Sequence, residues 1–132
     1  MEKYVAKSGA SGIINSGGGK MNILPRCEEA VIPIEKFTEY ALNPKRQPDK
    51  AIVFEKALGY NIANVDKLIA NIKNNIQNFP AKSKGNKGHG ELFEVVMILE
   101  GESGKKAKVL TGWIDDVNTG EVRFTSVYVD KK

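Results

Sequence analysis

The chain's only histidine, His89, lies in Ala81-Lys82-Ser83-Lys84-Gly85-Asn86-Lys87-Gly88-His89-Gly90, a stretch with three lysines and no acid. Imidazole titrates near neutral pH, which makes His89 a candidate general acid or base. Lys84 and Lys87 would draw in an anionic substrate. The plain alternative is a solvated loop histidine. Lys50 opens a predicted helix in Pro48-Asp49-Lys50-Ala51, where a cation opposes the helix dipole. That placement points to another use, such as holding phosphate; the plain alternative is a surface lysine.

Two later segments carry hydroxyls and aromatic rings. On a period of two, Val109, Thr111 and Trp113 share one strand face, and Leu110, Gly112 and Ile114 the other. Hydroxyls and an indole on a sheet face can bind a phosphodiester and stack a base. Thr125-Ser126-Val127-Tyr128 adds further candidates, and Arg123 shares a face with Thr125 as a bidentate phosphate ligand. Tyr128 and Thr125 fall on opposite faces of a regular strand, so both line one cleft only if a bulge intervenes. All these residue types are also ordinary in strands.

Other chemistries find little support. One cysteine, Cys27, can neither close an internal disulfide nor build a zinc site, which suits a reducing compartment. Gly17-Gly18-Gly19-Lys20 is followed by Met21 and preceded by no apolar strand, so it is not a phosphate loop. Glu28-Glu29 and Asp115-Asp116 fall in predicted turns or loops and read as solvated. There is no metal motif, nucleophile elbow or dinucleotide fingerprint, and no cofactor is expected. With 132 residues, 41% hydrophobic and 27% charged, the composition is that of one globular domain. No apolar run reaches a membrane span, and no signal peptide pattern opens the chain. The net charge of +4 suits an anionic partner such as RNA without demanding one.

The elements that must position these residues fall into three parts. Residues 1–32 hold five of the thirteen glycines and read as a flexible or linker segment, with Tyr4-Val5 and Met21 to Leu24 as short pieces that dock on the domain. Residues 33–132 form the domain. Pro33 to Leu42 predicts a helix with Ile34, Phe37, Ala41 and Leu42 on one stripe, stopped at Asn43-Pro44. Asp49 to Leu58 predicts a second, with Ile52, Val53 and Leu58 inward and Gly59 ending it. A third is capped by Asn64 and carries Val65, Leu68, Ile69, Ile72 and Ile76 at helical spacing. Ala81 to Gly90 is read as a loop. Leu92 to Leu99, Lys108 to Ile114 and Glu121 to Val129 then read as an antiparallel meander. The fold class is α+β, with N-terminal helices packed on one sheet face.

The segments Ala41-Leu42-Asn43-Pro44, Lys50-Ala51-x-x-Phe54, Leu58-Gly59-Tyr60, Leu68-Ile69, Phe93-Glu94-Val95, Gly104 to Ile114 and Thr125 to Tyr128 resemble a domain family found at the C-termini of polymorphic bacterial toxins and some phage head proteins. Over residues 41–129 the chain is similar to contact-dependent growth inhibition toxin domains of the CdiA type. The resemblance implies the ribonuclease superfold of barnase, EndoU, colicin ribonucleases and RelE. It implies an endoribonuclease that cuts RNA, typically tRNA, without a metal, by 2′-hydroxyl attack giving a 2′,3′-cyclic phosphate. The family pattern matches at Lys50, Thr111, Trp113, Thr125 and Tyr128, whereas relatives often carry Tyr-Gly at His89-Gly90. The expected roles are His89 as base or acid, Lys50 and Arg123 on phosphate, Thr111 and Thr125 as donors, and Trp113 or Tyr128 as a stacking platform. Implied partners are an acidic cognate immunity protein and, by analogy, elongation factor Tu; the implied setting is delivery from a secreted or cell-surface effector into the cytoplasm of target bacteria. The alternatives from other classes are a non-catalytic RNA- or protein-binding module and a structural domain of a phage or secreted effector.

Overall fold

The computed structural model describes residues 22–130. The Gly-rich run and Tyr4-Val5 lie outside them. The strongest periodic signal forms a helix as expected: α2 (Val65–Asn75) buries Val65, Leu68 and Ile72, and Ile76 follows on the same stripe in a closing 3-10 turn. Its start differs from the expectation. Asn64 makes no side-chain cap to α2. Its carboxamide oxygen instead accepts from the Asn61 N–H at 2.8 Å, while the Asn61 side chain accepts from Ala63 N–H at 2.9 Å. The reciprocal pair caps the 3-10 turn leading into the helix.

Helix α1 (Pro48–Leu58) begins on proline and ends at Gly59, whose φ of +78° is the left-handed conformation a C-terminal glycine accepts without strain. Its buried face is Ala51, Phe54 and Leu58, so Ile52, expected inward, faces solvent at 48% exposure. The segment before it is not a regular α-helix. Phe37–Ala41 winds as a π turn, with the Leu42 N–H bonded to the Phe37 carbonyl at 2.8 Å. Five-residue spacing puts Phe37 and Leu42 in one buried column and leaves Ile34 outside.

The sheet is one antiparallel meander in the order β1 (Ala81–Asn86), β2 (Gly90–Glu100), β3 (Lys106–Asp116), β4 (Val122–Asp130). The last three were expected and β1 was not. Its sequence reads as a loop because nearly all its residues are exposed. Pairing with β2 alone makes it an edge strand, interrupted by an irregularity between Ser83 and Gly85, and its lysines discourage further pairing.

Val95, Met97 and Leu99 of β2, Val109, Thr111 and Trp113 of β3, and Phe124, Val127 and Val129 of β4 face the helices and form the core with Phe37, Phe54, Leu58, Leu68 and Ile72. Phe124 stacks on Phe37 with centroids 4.9 Å apart and meets Trp113 edge-on at 5.5 Å. From Asn22 onward the first segment also packs on the domain. Leu24, Cys27 and Ala30 are buried, and Val31 bridges to β4 through bonds to Val122 and Phe124. The opposite sheet face carries Leu92, Val96, Leu110 and Ile114, half-buried, with Ile98 and Tyr128 exposed. The architecture is therefore α+β with an open sheet.

These burial differences set a direct test of the helix orientation. Phe54→Ala is expected to cost about 3–5 kcal/mol, and Ile52→Ala no more than about 0.5 kcal/mol, by urea unfolding. Comparable losses at both positions would mean that α1 presents another face.

Candidate functional site

A break in the β3–β4 register makes the site. Gly112 pairs with Ser126, but Trp113 pairs with Phe124, so Thr125 is an extra residue in β4. The bulge lets Phe124 and Val127 both turn inward while Thr125 and Ser126 both stay exposed. Gly112 accommodates it: a Cβ there would stand 2.7 Å from Ser126 Oγ and 3.0 Å from Thr125 Oγ1. The two hydroxyls thus crowd the one position on β3 that has no side chain. The bulge that Thr125 and Tyr128 needed to share a cleft is present, and both line the same depression.

Thr125 and Ser126 line two adjoining clefts. One, of about 230 Å³, is closed by Lys36 just before the π turn, by Tyr40 within it and by Lys50 from the start of α1. The other, of about 270 Å³, lies on the open sheet face with Lys84, Glu94, Leu110, Gly112 and Tyr128 around it. Lys50 is half-buried because it lies one turn before Phe54 on the helix and its stem packs inward. Burial lowers its ammonium pKa. Arg46 lies over the Tyr40 ring, 4.9 Å from its centroid, without lining either cleft. The arrangement offers fixed positive charge, two hydroxyl donors and, at Tyr128, an exposed ring.

Of the remaining expected residues, Thr111 and Trp113 border the sheet-face cleft, whereas His89, Lys87 and Arg123 line neither cleft. Thr111 and Trp113 are each 1% exposed and face the helices. The Thr111 hydroxyl donates to the Val95 carbonyl at 2.8 Å and accepts from Trp113 Nε1–H at 2.8 Å. Those bonds give both groups a structural role, and the expected substrate-facing side of β3 is the packed one. His89 is exposed in the β1–β2 turn, its carbonyl bonded to the Val117 N–H. Because Gly90 pairs with Asp116, His89 sits at the sheet end, roughly 13 Å or more along β3 from Gly112. Lys87 shares that turn. Lys84 is the one basic residue of this hairpin that lines the cleft, 4.0 Å from Glu94.

Arg123 is also committed. Its Nη2 donates to Asp116 Oδ2 at 2.8 Å, and the Asn118 N–H donates to the other oxygen. The Asn118 N–H foremost, then the Arg123 guanidinium, hold the buried Asp116 carboxyl below the usual range. Arg26 pairs with the adjacent Asp115. The two ion pairs tie the first segment and β4 to the end of β3. Burial, with the Glu28 charge second, pushes the Cys27 thiol up, which leaves it a poor nucleophile. Among the described residues no group of three or more His, Cys, Asp or Glu is placed to hold a metal ion, and no helix is long and apolar enough to cross a membrane.

Tyr40, Lys36 and Glu94 were not legible as site residues in the sequence, and Ser126 stood among the candidates without a role of its own. Lys36 and Tyr40 do stand four apart, but only the stacking of Phe37 on Phe124 brings them to β4. The chain belongs to a family described as a domain of unknown function (DUF6883), whose profile matches residues 23–131. No curated protein and no solved structure matches it. The match begins at Ile23, beside the buried Leu24.

Thr111→Val removes the acceptor of a buried indole N–H while keeping the volume. A destabilisation of about 1–3 kcal/mol is expected, read by urea unfolding. No loss would mean that Thr111 does not hold Trp113.

Proposed function

We propose that this domain is an endoribonuclease of the ribonuclease superfold, that it cuts RNA, tRNA foremost, with its own side chains, and that its site is the double cleft around Thr125 and Ser126. The observation that carries this reading is the β4 bulge, which sets two hydroxyls beside Lys50 and next to an exposed tyrosine. A phosphodiester asks for fixed cations and short donors on its non-bridging oxygens, and a neighbouring base asks for a ring. The toxin setting, with an immunity protein holding the enzyme in check, belongs to the same proposal and rests on the resemblance given above.

In this reading the neutral Lys50 amine takes the proton of a ribose 2′-hydroxyl. The freed oxygen attacks the adjacent phosphorus, and the bond to the 5′-oxygen breaks. The departing oxygen takes a proton from water, leaving a 2′,3′-cyclic phosphate and a 5′-hydroxyl. Thr125 and Ser126 donate to the non-bridging oxygens, Lys36 adds fixed charge, and a base stacks on Tyr128. The base role passes from His89 to Lys50 on position. A lysine with lowered pKa reaches its neutral form at lower pH than a solvated one, so the rate should rise with pH through the Lys50 titration.

The test is bacterial tRNA incubated with the protein in EDTA and resolved on a denaturing gel, repeated in cell extract, which supplies host factors such as elongation factor Tu. Discrete fragments ending in cyclic phosphate are expected. Lys50→Ala should slow their formation roughly a hundredfold or more, while His89→Ala should not. RNA left intact in both media, or cleavage indifferent to Lys50→Ala, would overturn the reading; RNA bound but uncut would favour a binding module.

A further inference from the structure

We propose that the groove between α1 and the corner of β3 and β4 docks an acidic segment of another protein that carries aliphatic side chains. The groove measures about 560 Å³ and shares no lining residue with either half of the cleft around Thr125. Its floor is aliphatic. Val53, Ala57 and Ala107 are only partly buried against the core, and Val129 closes the base. Ile52 stands at the rim, the residue whose exposure contradicts its expected inward face.

The rim is cationic. Lys56 comes from α1, and Lys105, Lys106 and Lys108 come from the start of β3 and the turn before it; all four are exposed. Lys105 Nζ reaches across to the Lys56 carbonyl at 3.5 Å, joining the two walls. One acid lines the groove, Asp130, which stands opposite Lys108 in the β3–β4 register. Glu100 stands opposite Lys106 on the other side but does not line the groove. The lining therefore carries four cations against one acid.

Charge and floor together select the occupant. A nucleic acid satisfies lysines with phosphate, but its bases ask for aromatic rings, and no aromatic residue lines this groove. A protein segment bearing carboxylates beside leucine, isoleucine or valine meets both features, burying the floor while its charges face the ammonium groups. The first 21 residues of this chain carry Lys3, Lys7 and Lys20 against Glu2, so that segment does not supply matching charge, and the net +4 of the whole chain disfavours a second copy.

The experiment is fluorescence anisotropy of a labelled amphipathic peptide of glutamate and leucine, titrated with the full chain. Saturable binding that weakens with added salt is expected. The Lys56→Glu/Lys105→Glu pair should weaken it by about tenfold or more, as should Ile52→Asp. Circular dichroism and urea unfolding check that each variant is folded, and Lys56→Gln gives a milder second point. Lys50→Ala should leave peptide affinity unchanged, and the Lys56→Glu/Lys105→Glu pair should leave tRNA cleavage unchanged, so failure here is distinct from failure of the nuclease reading. Absence of saturable binding, affinity indifferent to the reversed charges, or displacement of the peptide by oligouridylate would overturn the proposal, the last by making the groove a nucleic-acid track.

Discussion

The contact between Trp113 and Phe124 is the constraint on which the rest depends. The indole is buried, its N–H is satisfied by Thr111, and Thr111 is in turn tied to the backbone of β2. Phe124 meets the indole edge-on and lies flat against Phe37. Holding Phe124 opposite Trp113 while Val127 also turns inward requires an extra residue between Phe124 and Ser126, the partner of Gly112. Thr125 is that residue. The stacking of Phe124 on Phe37 holds the π turn that carries Tyr40 and follows Lys36. Core packing and the geometry of the exposed cleft thus rest on one set of contacts.

Much of this architecture was readable from side-chain periodicity. α2 and the three long strands follow their apolar repeats, and Gly59 ends α1 as its position implies. The two faces of β3 were separated correctly, but the choice of which one packs was reversed. Thr111 looks polar in isolation; its acceptor is the Val95 carbonyl on another strand, sixteen residues away, and no local pattern announces that bond. β1 was illegible because its residues gain little from burial and are held by pairing. The outward turns of Ile34 and Ile52 depend on the π winding and on how α1 rotates against β4, both consequences of packing.

The candidate site was legible in part. Lys50 was singled out because a cation at a helix start is locally unfavourable, and it is one of the residues the fold brings to the bulge. Thr125 and Tyr128 were paired conditionally on a bulge, which the register supplies. His89, Lys87 and Arg123 were chosen by chemistry alone; the topology puts His89 and Lys87 at the end of the sheet, and Arg123, two residues before Thr125, is turned to Asp116. There the paired Asp115 and Asp116 take up Arg26 and Arg123. The carboxylate pair read as solvated is therefore a structural clamp.

The cleft around Thr125 and Ser126 as a phosphodiester site is the central claim, and an uncleavable ligand tests it without relying on turnover. The measurement is a titration of the isotope-labelled chain with a 2′-deoxy dinucleotide, followed by amide and lysine ammonium resonances. Saturable shifts are expected at Lys50, Thr125, Ser126 and Tyr128, with the Lys50 ammonium among those that move. Shifts confined to the hairpin around His89, or none at these four residues, would contradict it.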